Sequence, residues 1–147
     1  MKEHETEKAM DASYNCAQSV LLPFLEKYGI HEETGFRFAS AFGAGMGEMQ
    51  QTCGALTGGF MVLGLEYGFV NPKDQKQREL LLAKTKQFIQ RFKKKFGTTK
   101  CKELLNYNIS TEEGKQKHKE ENERELICKV CAKYSVRTLE KLIDVEL

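Results

Sequence analysis

The chain has 147 residues, 40% of them hydrophobic and 30% charged, with a formal net charge of +2 at pH 7. That length suits a single domain over residues 1–147 with one sizeable core, and argues against two full domains. So mild a charge excess gives no basis for nucleic-acid binding, which needs a concentrated basic surface.

The opening MKEHETEK is charged and leads into no apolar run with a small-residue cleavage site, so no signal peptide is expected and the cytoplasm is the expected location. From Glu5 to Tyr28, the apolar residues Ala9, Cys16, Val20, Phe24 and Tyr28 recur near helical spacing and predict a first helix stopped by Gly29. Pro23 lacks an amide hydrogen and would clash with the Ser19 carbonyl, so this helix should kink or split there, with Cys16 before the break.

The stretch EETGFRFASAF predicts a short second helix with acidic residues at its start and Phe36, Phe38, Ala39 and Phe42 as apolar positions. Gly43, Gly45 and Gly47 then break the pattern. Their spacing resembles a phosphate loop, but no strand precedes them, so a close-packed turn near Cys53 is expected, with Met46 and Met49 as packing residues or soft ligands. Thr52 is a candidate N-cap for a third helix from Cys53 to about Tyr67, ended by Gly68. Its apolar run from Phe60 to Leu65 is far shorter than the roughly 20 residues that cross a bilayer, so no membrane partner is expected.

Asn71-Pro72-Lys73 should open a long fourth helix that Gly97 closes, with Leu81, Thr85, Phe88, Phe92 and Phe96 on one face. The surrounding Lys84, Lys86, Arg91, Lys93, Lys94 and Lys95 then read as its solvated face rather than a nucleic-acid surface. A short fifth helix carries Cys101, Leu104 and Leu105, capped by Thr98 or Thr99. Ser110 and Glu113 suggest a capping box for a polar segment through about Arg124. The final stretch should be helical, with Ile127, Val130, Tyr134 and Leu142 facing the core. The fold class expected is all-α, a bundle of about five to seven helices.

Chemistry points to the five cysteines, Cys16, Cys53, Cys101, Cys128 and Cys131. An odd number in a reducing compartment favours metal binding or redox chemistry over a disulfide framework. If Thr52 caps the third helix, Cys53 stands at a helix N-terminus, where unpaired amides favour a thiolate. Gly54 and Gly58 behind it remove side-chain bulk, so that a helix or a cofactor can approach the backbone; simple tight packing explains them equally well. Cys128-Lys-Val-Cys131 adds a pair on one helix face, able to share a metal or form a strained disulfide. His4, His31 and His118 lie in polar contexts and read as surface residues.

Taken together, Cys16 in YNCAQSVL, Cys53 in TCGALTGG, Cys101 in TTKCKELL and Cys131 in CAKY resemble the pattern of the C_GCAxxG_C_C family, proposed to be redox-active. The likeness extends over nearly the whole chain. Thr52 stands where the family's motif has Gly before Cys, and Cys131, followed three residues on by Tyr134, matches the last motif cysteine better than Cys128 does.

The resemblance implies a small cytoplasmic helical protein in which Cys16, Cys53, Cys101 and Cys131 do redox or metal chemistry, with Cys128 as a spare ligand, a resolving thiol or a packed residue. Thiolates suit zinc or an iron–sulfur cluster, and the sequence does not choose between them. One alternative is a thiol–disulfide oxidoreductase in which Cys53 or Cys131 attacks and a neighbouring cysteine resolves. Another is a non-catalytic helical interaction module with packed cysteines. A redox partner protein, and a homodimer through the Gly58-Gly59-Phe60 surface, complete the expected interactions.

Overall fold

The computed structural model describes residues 2–144. Among them are eight α-helices and no strand: α1 (Lys2–Asp11), α2 (Cys16–Leu21), α3 (Glu32–Ala39), α4 (Gly54–Tyr67), α5 (Gln75–Phe96), α6 (Cys101–Leu104), α7 (Glu112–Glu120) and α8 (Lys129–Asp144). The fold is therefore all-α. No helix among the described residues is long and apolar enough to cross a membrane.

The expected first helix is two helices, and the break falls ahead of Cys16 as well as near Pro23. Ser13 turns the chain with a φ of 75°, and Asn15 then caps α2 through a reciprocal box. Its side chain accepts from the Gln18 amide at 2.8 Å while the Gln18 side chain accepts from the Asn15 amide at 3.0 Å. Cys16 is thus the first residue of a helix rather than mid-helix. Pro23 lies in a 3-10 turn, Leu22–Phe24, directly after α2, and Gly29 ends the segment in the left-handed conformation.

The core is built around α4, which packs against α2, α5 and α8. The glycines of α4 decide how closely. A Cβ on Gly58 would lie 2.6 Å from the Ala17 carbonyl oxygen, and one on Gly59 would overlap the Phe88 ring. Both glycines are closed off inside the chain, so of the Gly58-Gly59-Phe60 surface expected for a homodimer only the half-buried Phe60 is in part accessible. Phe60 meets Phe88 edge to face with centroids 6.1 Å apart. Phe88 and Phe92 are fully buried, as the spacing of α5 predicts, while Lys84 leaves the expected solvated face and is buried with its Nζ donating to the Leu142 carbonyl at 3.0 Å.

Helix α1 buries Thr6, Ala9 and Met10, and ion pairs to α8 run along its edge. Lys133 pairs with Glu7 at 2.7 Å, and Lys129 bridges Asp11 and Glu125 at 2.5 and 2.6 Å. Ahead of α8 the chain makes a π turn, Arg124–Cys128. Its wider winding rotates the first turn of α8, so Val130 is 45% exposed while Cys131, 1% exposed, takes the inward position. That shift displaces Val130 from the expected core stripe; Leu142 remains in it and Ile127 and Tyr134 are half-buried at its edge.

Several caps also differ from expectation. Cys53 itself is the N-cap residue of α4, because Thr52 is engaged in an antiparallel bridge with Lys100. Asp74, not the Asn71-Pro72-Lys73 turn, caps α5, and Lys100 precedes α6 without a side-chain cap. Thr111 rather than Ser110 caps α7 by accepting from the Gly114 amide at 3.0 Å.

Candidate functional site: a thiol-lined cavity

The Thr52–Lys100 bridge places two of the cysteines. The Cys53 amide donates to the Thr99 carbonyl at 2.8 Å, and the Cys101 amide donates to the Gln51 carbonyl at 2.6 Å. Helices α4 and α6 therefore start side by side. Cys16 is brought against them because α2 is anchored elsewhere: Asn15 Nδ2 donates to the Ala39 and Ser40 carbonyls at 3.2 and 3.1 Å, and Gln18 Nε2 donates to the Phe36 carbonyl at 3.1 Å. Gly54 permits the approach, since a Cβ there would be 2.9 Å from the Cys16 Cβ.

The π turn and the start of α8 supply Cys128 and Cys131. All five thiols, together with Gly54, Arg124 and His118, line one cavity of about 390 Å³. All five are free; Cys53, Cys101 and Cys131 are buried, whereas Cys16 and Cys128 are partly open to solvent. Gly58 faces α2 and does not reach the cavity.

One wall is the glycine-rich turn, which winds left-handed. Residues 44–48 all have φ between 52° and 69°, and the Gln50 and Gln51 amides close it on the Ala44 and Gly45 carbonyls, both at 3.0 Å. Only glycine fits at 45, where a Cβ would lie 2.5 Å from the Gln50 Cα. Ala44, Met46 and Glu48 hold the same conformation with side chains, at a cost of about 1–2 kcal/mol each. Met49 is exposed, and Gly43, Ala44, Gly45, Gly47 and Glu48 face the cavity.

The thiols influence one another chiefly in twos: Cys128 acts on the titration of Cys16, and Cys131 on that of Cys53. In the first two, Cys128, with the Arg124 guanidinium nearby, holds the Cys16 thiol below its ordinary range despite burial. Cys128 is correspondingly pushed far up. Cys53 is also pushed well up, by Cys131 first and then by burial. Burial raises Cys101 to about 12.

Three side chains with no signal in the sequence complete the site. Arg124 donates to the Met10 carbonyl at 2.8 Å and to the Tyr14 carbonyl, tying the turn before α2 to the π segment. Gln50, 5% exposed, donates to the Tyr107 carbonyl and accepts from the Ile109 amide, both at 3.0 Å. Glu123 accepts from the Asn106 amide at 2.8 Å and contacts His118 Nδ1 at 2.9 Å. His118 is accordingly part of the cavity wall, not the surface residue expected. The contacts of Arg124 with Met10 and Tyr14, of Gln50 with Tyr107 and Ile109, and of Glu123 with Asn106 span 17 residues or more and have no local spacing from which to read them.

Soft donors surround the cavity, yet among the described residues no group of three or more His, Cys, Asp or Glu is placed to hold a metal ion.

The structure is thus a helical bundle whose five cysteines line one cavity. Residues 14–144 match the family described as "Putative redox-active protein (C_GCAxxG_C_C)", and the chain belongs to that family. No curated protein and no solved structure gives a significant match.

Proposed function

We propose that the chain is a thiol–disulfide redox protein whose working pair is Cys16 and Cys128. The observation that carries this reading is that Cys16 and Cys128, the two cysteine residues of the cavity that are not fully buried, lie together there with the Arg124 charge beside them. A thiolate at Cys16 is the attacking species, and Cys128, beside it in the cavity, resolves the mixed disulfide. Two thiols give one disulfide, two protons and two electrons, and the electrons pass to a disulfide of the substrate. Cys53 and Cys131, buried behind the working pair, are not the first to react. The family description is in keeping with a redox role.

The test is anaerobic purification of the full chain, then metal and acid-labile sulfide analysis, and mapping of disulfides after mild oxidation. The expected result is a metal-free folded protein with a reversible Cys16–Cys128 disulfide, and loss of its fastest-alkylating thiol in Cys16→Ser. Stoichiometric zinc, or iron with sulfide, would overturn the dithiol reading in favour of a metal centre that draws the thiols together. Failure of the two thiols to pair would overturn it in favour of packed cysteines.

A further inference from the structure

Cys53 and Cys131 line the same cavity as Cys16 and Cys128 and are two further thiols that the working pair does not use; Cys131 lies close enough to Cys53 to act on its titration. Both are buried, at 6% and 1% exposure, so no bulky disulfide reaches them from solvent. They nevertheless adjoin the outer pair at two points. Gly54, next in sequence to Cys53, lies against the Cys16 Cβ, and Cys131 follows Cys128 by three residues along the π turn and α8. A buried dithiol whose neighbours on both sides are the members of a half-open dithiol has one evident route for its electrons.

We infer that Cys53 and Cys131 are a reserve dithiol that is oxidised only through the Cys16–Cys128 pair, so that the chain delivers four electrons rather than two. This rests on the dithiol reading proposed above for the outer pair. With a small-molecule disulfide as oxidant, the Cys16 thiolate attacks one of its sulfurs and releases the first thiolate. Cys128 then attacks the Cys16 Sγ, giving the outer disulfide and a second released thiol.

Next the Cys53 sulfur attacks the Cys16 Sγ, forming a Cys53–Cys16 bond. The Cys16–Cys128 bond breaks, and Cys128 takes the proton that Cys53 gives up. Finally Cys131 attacks the Cys53 Sγ; the Cys53–Cys131 disulfide forms, and Cys16 leaves with the electron pair and the Cys131 proton. The inner pair is then oxidised and the outer pair reduced, ready for a second oxidant molecule. Each exchange conserves disulfide bonds, so no further reactant is needed. Cys101 has no sulfur partner of its own in this scheme.

The experiment treats the fully reduced chain with glutathione disulfide without oxygen, quenches at intervals with N-ethylmaleimide, and locates blocked and bridged cysteines by peptide mass spectrometry. The expected course is loss of two thiols as Cys16–Cys128, then two more as Cys53–Cys131, with Cys101 remaining free. In Cys16→Ser/Cys128→Ser, inner disulfide formation should slow about tenfold or more. In Cys53→Ser/Cys131→Ser, the outer pair should oxidise at its usual rate but the chain should stop at two electrons. Circular dichroism confirms that each variant is folded, and the second double variant keeps the test decisive where the first is not. A wild-type chain that stops at the outer disulfide, or an inner pair that oxidises as fast without the outer one, would overturn the relay and leave the outer dithiol standing. No disulfide at all would overturn both.

Discussion

Along α4, the body from Gly58 to Leu63 is held by side-chain packing, whereas its first turn at Cys53 and Gly54 is held by backbone hydrogen bonds from segments far away in sequence. Phe88 closes over Gly59 and Ala17 over Gly58; the Thr99 carbonyl and the Cys16 side chain receive the other end. The thiol end depends on polar tethers, on a left-handed turn and on a π turn, features that cost free energy and concentrate where a protein needs a particular geometry. One helix therefore joins a region optimised for burial to a region optimised for placement.

Substitutions that strike only one end sharpen this contrast. Phe88→Ala removes a fully buried ring from the packed end and should cost about 3–5 kcal/mol of unfolding free energy. Denaturant titration would show it, and the ratio of Cys16 to Cys101 alkylation rates in the folded chain should stay unchanged. Gln50→Ala cuts the tethers to Tyr107 and Ile109 and should cost about 1–3 kcal/mol. Here the readout is local: amide hydrogen exchange should rise over residues 105–109, and Cys101, freed from its cover, should alkylate faster. If both variants raised exchange evenly over the whole chain, the two ends would be one cooperative unit and the contrast would fail.

The smallest effect comes from protons. Cys101 holds its proton in the folded chain to about pH 12 against an ordinary value of 9.0, so its folded form binds more protons than its unfolded form between those limits. Its contribution to stability is complete below pH 9.0 and is lost as pH rises toward about 12. Denaturation midpoints measured at pH 8 and pH 10 should fall less in Cys101→Ser than in the parent chain.

Much of the packed end can be read from the residue pattern. The phenylalanines of α5, the stop at Gly29 and the stop at Gly97 follow from spacing and from the left-handed freedom of glycine. The thiol end is legible as a set of residues but not as an arrangement. Nothing local announces that Arg124 reaches the carbonyls of Met10 and Tyr14, because the partners are far apart in the chain. A π turn adds a residue to one helical turn and so defeats periodicity, which is why regular spacing puts Val130 inside where Cys131 stands. Helix position at Cys53 takes no account of burial or of the Cys131 thiol, and both of these push its titration up, against the helix-end effect.

The Thr52–Lys100 bridge also sets an order of events during folding. Closing it requires α4 and α5 to lie back to back first, since the whole of both helices intervenes between its two sides, and a long loop is entropically slow to close. Cys128 and Cys131 are three residues apart, so bringing them together closes a far shorter loop and should come earlier. A nascent chain exposed to an oxidant would be trapped by this near pair before the distant thiols arrive, so a reducing environment during folding protects the arrangement found in the finished molecule.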